Sequence, residues 1–426
     1  MDKTIKPIEH LRGEIALPGD KSISHRTVFI GSISKGKTTA KNFLQAEDCL
    51  HTVSAFRAMG IDIDIRDKSV SIWGGGLKGL KKPEKKLYLG NSGTTMRILP
   101  GILAGQDFKV ELTGDASLSK RPMDRIIAPL REMGVDIHSQ NKDGCPPLTV
   151  TGGRVRTIEH STRVASAQVK SCILFAGLNA DGVTSVTEPF MSRDHTERML
   201  EFAGAKISRK NLTVSVKGKC SLQGKEFIVP GDPSGAAFFI AGATLLEGSD
   251  ITLRGVGLNP TRTGFLTALQ KMGADITILN KKEAAEPYGD IRVRSAPLKA
   301  LTIEKKDVPF LIDEVPILAV LATQAKGTTV IKGIGELRVK ETDRIFSITE
   351  NLRLMNADIS SEGDTLVING RRKRFAKATL NSFKDHRTAM SMAVASLSAD
   401  GDCKIKDTAC VNTSFPGFFD LLEYLQ

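Results

Sequence analysis

The sequence predicts an α/β (α+β) protein built from six related blocks and divided into two domains of three blocks each. Three observations carry this expectation. A helix-like run of small and apolar residues, a tight turn and a strand-like alternation recur six times. A second amphipathic run, closed by a helix stop and followed by more strand, recurs five times. A Pro-Gly-Asp step recurs half a chain apart.

The first half of the block occupies residues 26–43, 96–113, 168–187, 235–254, 315–332 and 388–406. Its turns read Lys35-Gly36, Ala180-Asp181-Gly182, Glu247-Gly248 and Lys326-Gly327, each placing a residue that tolerates unusual backbone angles between helix and strand. The second half reads AFRAMGIDIDI (55–65), PLREMGVDIHS (129–139), MLEFAGAKISR (199–209), ALQKMGADITI (268–278) and NLRLMNADISS (351–361). In each, apolar residues at i, i+3 and i+4 end on Gly or Asn, and period-two alternation follows. The sixth block stops at 426 before its closing strands, whereas residues 1–19 carry strand-like material and no helix of their own. The N-terminus is therefore expected to complete block six. Leu17-Pro18-Gly19-Asp20 and Val229-Pro230-Gly231-Asp232 mark the crossings, giving domains 20–229 and 1–19 with 230–426.

Composition agrees with two soluble cores. A 426-residue chain exceeds a single core, and no apolar run approaches the roughly 18 residues that span a bilayer. No charged, apolar-cored leader opens the chain, so a cytoplasmic location away from membranes is expected. Cys49, Cys145, Cys172, Cys220, Cys403 and Cys410 form no C-x-x-C pair and read as reduced thiols, with no metal site expected. The net charge of +12 admits nucleic acid or small anions as partners. Aromatics are only 5%, and the one dense basic run, Arg371-Arg372-Lys373-Arg374, falls between blocks as a solvated turn. No nucleic acid is expected.

Residues 31–38, GSISKGKT, match the phosphate-loop pattern letter for letter. That loop needs a strand before it and a helix after it, and the repeat puts the reverse order here. Chemistry is instead expected at the helix starts. These carry Asp20-Lys21-Ser22, Gly90-Asn91-Ser92-Gly93, Ser166-Ala167-Gln168, Asp313-Glu314 and Asp385-His386-Arg387. Second helices open with Lys120-Arg121, Ser192-Arg193-Asp194-His195 and Lys340-Glu341-Thr342-Asp343-Arg344. Free N–H groups and the positive end of the helix dipole make such places anion sites when Lys, Arg, Ser or Gln is added. Taken singly, Ser22, Ser166 and Asp313 also read as helix caps, and Glu341 with Arg344 as a surface pair.

LPGDKSISHR (17–26), GNSGTTMR (90–97), RPMDR (121–125), SAQVKS (166–171), SRDHTERM (192–199), LRVKETDR (337–344) and DHRTAM (385–390) occur in this order. By these motifs the whole chain resembles the 5-enolpyruvylshikimate-3-phosphate synthase family of enolpyruvyl transferases. The resemblance implies a two-domain inside-out α/β barrel of six βαβαββ repeats, three per domain, closing on its ligands. It implies transfer of the enolpyruvyl group of phosphoenolpyruvate to the 5-hydroxyl of shikimate 3-phosphate without a cofactor, by a monomer, with glyphosate as inhibitor. It would assign Lys21, Ser22, Arg26, Ser166, Gln168, Asp313 and Lys340 to shikimate 3-phosphate. Lys21, Gly93, Arg121, Gln168, Arg344 and Arg387 would surround phosphoenolpyruvate, with Arg97 a further cation. Asp313 would be the base and Glu341 would move the carbon-bound proton, with Lys21 as electrostatic partner or alternative acid; the sequence leaves open which group carries which proton.

Three positions depart from part of the family. Ala167 replaces a second Ser, Arg193 a Tyr, and Thr413 a Lys, a pattern like the branch in which glyphosate sensitivity varies. The sister family, UDP-N-acetylglucosamine enolpyruvyl transferase, has a reactive Cys in the loop matching residues 114–121. Here that loop reads GDASLSKR, with no Cys, and the K-N start of that family is absent too.

Overall fold

Apart from polar and charged residues near its start, the first helix in each block carries small and apolar residues around most of its circumference and is buried. In the computed structural model, which describes residues 1–141 and 143–426, these are α1 (Lys21–Ile33), α3 (Gly93–Leu103), α5 (Ala167–Gly177), α7 (Pro233–Leu245), α9 (Val315–Gln324) and α11 (His386–Ser396). The second helices are α2 (Glu47–Ala58), α4 (Asp124–Glu132), α6 (His195–Phe202), α8 (Gly264–Met272) and α10 (Arg344–Leu354). They bury one face only. A last helix, α12 (Phe418–Tyr424), follows the sixth block. The residues just past the second helices, Gly60, Gly134, Gly204, Gly273 and Asn356, all have positive φ, the conformation that ends a helix and turns the chain into strand.

Five blocks have a four-stranded sheet of one pattern, and the sixth has three of its strands among the described residues. In block three, Glu159–Ser161 lies parallel to Val183–Thr187, which pairs antiparallel with Thr213–Lys217, which in turn pairs with Ile207–Lys210. Blocks two and five repeat this order. Blocks one and four repeat it with an exchange. The parallel strand of block one is Glu226–Ile228, beside Lys35–Lys41, although it stands in sequence directly before α7. The parallel strand of block four is Arg12–Ala16, beside Asp250–Gly257, although it stands directly before α1.

The expectation for the N-terminus therefore needs correcting. Only Lys3–Ile5 completes block six, pairing antiparallel with Cys403–Lys406, while Arg12–Ala16 belongs to block four. The physical reason is the parallel position itself. Every block needs a strand ahead of its buried helix, and block four takes it from the N-terminus because the segment ahead of α7 serves block one.

The chain divides into two compact units, one of Gly19–Val229 and one of Met1–Pro18 with Pro230–Gln426. The first division falls one residue before the expected Gly19-Asp20 step. Each unit has its own apolar core. That of Gly19–Val229 includes Phe29, Phe56 and Phe175, and that of the other unit includes Phe238, Phe239, Phe418 and the N-terminal Leu11, Ile15 and Leu17.

In the segment that matches the phosphate loop, α1 comes first and strand Lys35–Lys41 second, the order opposite to the one phosphate binding needs. Arg371, Arg372, Lys373 and Arg374 are exposed, and Arg371 pairs with Asp358 at 2.9 Å. Among the described residues no helix is long and apolar enough to cross a membrane.

Candidate active site

In the unit Gly19–Val229, three buried helices bring their N-terminal turns side by side. Asp20, not Ser22, caps α1, accepting a hydrogen bond from the Ile23 amide at 2.9 Å. This leaves Lys21 and Ser22 in the first turn, both half-buried. Lys21 Nζ lies 3.3 Å from Asp48 Oδ2. Arg26, one turn on, is buried and donates to Thr196 Oγ1 at 2.7 Å, Ser171 Oγ at 3.1 Å and the Ser22 carbonyl at 2.9 Å. Its guanidinium thus ties α1 to α5 and α6.

Between Lys21 and Arg26, His25 is fully buried against Thr52 Oγ1 at 2.7 Å. Burial, then the charges of Lys21 and Arg26, holds its pKa well below the ordinary 6.5. An unfolded chain therefore takes up a proton near pH 6.5 that the folded chain refuses. Stability is expected to fall as pH drops below 6.5, by up to about 1.4 kcal/mol per pH unit. Urea unfolding at pH 7.5, 6.0 and 5.0 checks this; if His25→Gln shows the same slope as the unsubstituted chain, His25 is not its source.

Ser92 caps α3 through the Thr95 amide at 3.2 Å, and Ser166 caps α5 through the Val169 amide at 3.5 Å. Gln168 bridges the two helices, accepting from Arg97 Nη1 at 3.1 Å and donating to Thr94 Oγ1 at 3.1 Å. Arg121 reaches back across the strand ends to Asn91 Oδ1 at 2.6 Å and Ser117 Oγ at 3.2 Å. Gly93 is the residue these arginines enclose. A Cβ there would lie 3.0 Å from Arg97 Nη1 and 3.1 Å from Arg121 Nη1, tighter than side chains normally approach. Two guanidiniums converging on a residue without a side chain are chemistry suited to a carboxylate or phosphate.

The other unit holds a denser cluster. Asp313 sits in a 3-10 turn, Ile312–Glu314, directly before α9, whose first turn carries Pro316. Its carboxylate is shared by three cations: Arg344 Nη1 at 3.2 Å, Arg387 Nη2 at 3.6 Å and Lys340 Nζ at 3.9 Å. Arg344 opens α10 and is 2% exposed. It also binds Glu341 Oε2 at 2.6 Å and Asp385 Oδ2 at 2.8 Å. Burial opposes its charge, but Asp385, Glu341 and Asp313 outweigh burial and raise its pKa. Asp385 holds its place by capping α11, accepting from the Arg387 and Thr388 amides at 2.8 and 3.0 Å. Arg387 Nη1 donates to the Asp313 carbonyl at 3.1 Å. Lys340 and Glu341 remain partly open to solvent, at 32% and 22%.

Each candidate residue thus stands in one of two clusters. Lys21, Ser22, Arg26, Gly93, Arg121, Ser166 and Gln168 belong to the first unit, and Asp313, Lys340, Glu341, Arg344 and Arg387 to the second. Both clusters carry cations at helix starts. Among the described residues no three His, Cys, Asp or Glu side chains are grouped to hold a metal ion.

A model of the EPSP synthase family, described as EPSP synthase (3-phosphoshikimate 1-carboxyvinyltransferase), matches residues 5–422. The chain belongs to the EPSP synthase family. Relatives named 3-phosphoshikimate 1-carboxyvinyltransferase are similar over nearly their full length. That of Desulforamulus reducens is 49% identical over 99% of both chains, and that of Geobacillus kaustophilus 49% identical over 98% of both. The solved EPSP synthase of Acinetobacter baumannii is 44% identical, covers 100% of this chain and 98% of its own, and superposes with a TM-score of 0.90. The mixed α/β architecture of repeated blocks is therefore that of the EPSP synthase family.

Several residues that shape these clusters are not among those the motifs single out as ligands. Asp48 meets Lys21, Asn91 holds Arg121, and Asp385 supports Arg344. Buried Glu314 accepts from Ser234 Oγ and lies 3.8 Å from Arg387 Nη1. Ser234 also accepts from Arg262 Nη2 at 2.8 Å. The available signal was the Pro-Gly-Asp echo, which puts Asp232 and Ser234 where Asp20 and Ser22 stand.

Proposed function

We propose that this chain transfers the enolpyruvyl group of phosphoenolpyruvate to the 5-hydroxyl of shikimate 3-phosphate, releasing phosphate. The observation that carries the reading is Asp313, a carboxylate shared by Lys340, Arg344 and Arg387 beside Glu341. Both substrates are anionic. Each phosphate carries roughly −1.5 to −2 and each has a carboxylate besides, so roughly −5 to −6 must be held. Arginine forks and helix N-termini suit that load.

Lys21, Ser22, Arg26, Ser166, Gln168, Asp313 and Lys340 bind shikimate 3-phosphate in this reading. Lys21, Gly93, Arg121, Gln168, Arg344 and Arg387 bind phosphoenolpyruvate. Asp313 accepts the proton of the 5-hydroxyl as its oxygen adds to C2, and Glu341 delivers a proton to the C3 methylene. The tetrahedral adduct then loses a methyl proton and phosphate, with Lys21 stabilising negative charge as it forms. Product consumption falls to an enzyme of the shikimate pathway leading to chorismate and the aromatic amino acids. Cytoplasmic location, a monomeric state and binding of glyphosate belong to the same reading.

Gly93→Ala tests the phosphoenolpyruvate side. A methyl group there pushes on Arg97 and Arg121. The KM for phosphoenolpyruvate is expected to rise by about tenfold, with helix α3 no less stable. Steady-state kinetics with thermal unfolding decide it, and an unchanged KM removes Gly93 from the site. For the reaction as a whole, phosphate release should need both substrates together. A folded sample that releases none overturns the proposal, and tight salt-sensitive binding to DNA or RNA instead would point to a different function.

A further inference from the structure

The unit Gly19–Val229 buries an ion triad for which the mechanism above has no use. Lys170, in the second turn of α5, is 2% exposed. Its Nζ lies 2.8 Å from Glu188 Oε2 and 2.8 Å from Glu197 Oε1, both carboxylates also buried. Burial opposes the ammonium, yet the two glutamates outweigh it and raise its pKa. A buried triad of this kind is a poor source of stability, because apolar side chains of the same volume commonly do as well or better. Its geometry suggests what else it does.

Glu188 is the junction. Its Oε1 accepts the backbone N–H of Ser166 at 2.8 Å, so it fixes the residue that caps α5. Its Oε2 accepts from Ser192 Oγ at 2.8 Å, anchoring the segment that carries Arg193 into α6. The third member, Glu197, lies in the first turn of α6, where the helix dipole favours negative charge. One residue before it, Thr196 receives the Nε–H of Arg26. The triad therefore ties together the local frames of Ser166, Gln168, Arg193 and Arg26, which come from three separate helix starts.

We propose that Glu188, clamped by Lys170, is a positioning residue for shikimate 3-phosphate: it sets the start of α5 and the approach to α6 at the spacing the sugar phosphate requires. The inference rests on the reaction proposed above. Without the Glu188 charge, Ser166 and Ser192 lose their common anchor, and the groups they carry must be ordered when the ligand binds.

The test is phosphate-release kinetics on the full chain with each substrate varied, alongside thermal unfolding. Glu188→Gln is expected to raise the KM for shikimate 3-phosphate by about tenfold or more, with a much smaller change in the KM for phosphoenolpyruvate and in kcat. Glu188→Asp, which keeps the charge, should recover part of that loss. A lowered unfolding temperature with the shikimate 3-phosphate KM within about twofold of the unsubstituted chain would mean packing alone, and overturns the proposal. Should Glu188→Gln not fold, Ser192→Ala removes one bond to the same carboxylate and is expected to raise that KM by about threefold; no change overturns the proposal equally. Failure of the unsubstituted chain to release phosphate with both substrates is a distinct result, which overturns the reaction and the positioning role with it.

Discussion

Asp313→Ala is expected to lower turnover by about 10²-fold or more while shikimate 3-phosphate still binds. The expectation follows from what the substitution leaves in place. Arg344 keeps Glu341 and Asp385, so its buried charge stays compensated. Arg387 keeps its hydrogen bond to the Asp313 carbonyl, which any residue at this position supplies. Of the seven residues that bind shikimate 3-phosphate in the proposed reading, five (Lys21, Ser22, Arg26, Ser166 and Gln168) belong to the other unit, and Lys340 is left in place. The loss should therefore fall on kcat. Asp313→Asn separates charge from shape: it fills the same space and still cannot take a proton, so it should be nearly as slow as the alanine variant. Binding titration with shikimate 3-phosphate and single-turnover phosphate release provide the two measurements. Turnover within a few-fold of the unsubstituted chain in either variant would remove Asp313 from the base role.

The second large effect is on stability. Arg344→Met should destabilise its unit by about 3–5 kcal/mol, because it leaves Asp313, Glu341 and Asp385 gathered with the central cation gone. Arg344→Lys should not rescue it, since a single ammonium cannot serve three carboxylates in the directions a guanidinium does. The pH dependence follows from the direction of the Arg344 shift. Its folded pKa is raised, so its contribution is fully present below the unfolded value and is lost only above the folded one. The gap between the two proteins should thus persist from neutral pH up to the alkaline limit of the measurement. Urea midpoints at pH 7 and 9 test this, and equal midpoints for the two proteins at pH 7 would show that the cluster carries no such load.

The sequence made the blocks legible because each ends on a local signal. A Gly or Asn with positive φ stops the second helix wherever the pattern changes from period 3.6 to period two. The cations at helix starts were legible for the same reason, being fixed by their place in the block. Partners from different blocks were not. Asp385 meets Arg344 across 41 residues, and Ser234 meets Glu314 across 80. No local pattern records such pairings. The exchange of parallel strands was hidden as well. Glu226–Ile228 is three residues long, too short for a period, and only its pairing with Lys35–Lys41 shows where it belongs. Lys170 in SAQVKS carries no local sign of its burial, because Glu188 and Glu197, which hold it, come from further along the chain.

The exchange also imposes an order of events during synthesis. Everything the unit Gly19–Val229 needs has left the ribosome once Val229 emerges, the strand Glu226–Ile228 arriving last. The opposite holds for the N-terminal segment. Arg12–Ala16 must wait for Asp250–Gly257, and Lys3–Ile5 for Cys403–Lys406, almost the whole chain later. At about 5–20 residues per second, that second wait is roughly 20–80 s. Through the first, shorter wait, Leu11, Ile15 and Leu17 precede the helix and strands of block four against which they pack. The apolar residues made before residue 20 thus find their place only after strands of the fourth and sixth blocks have been made.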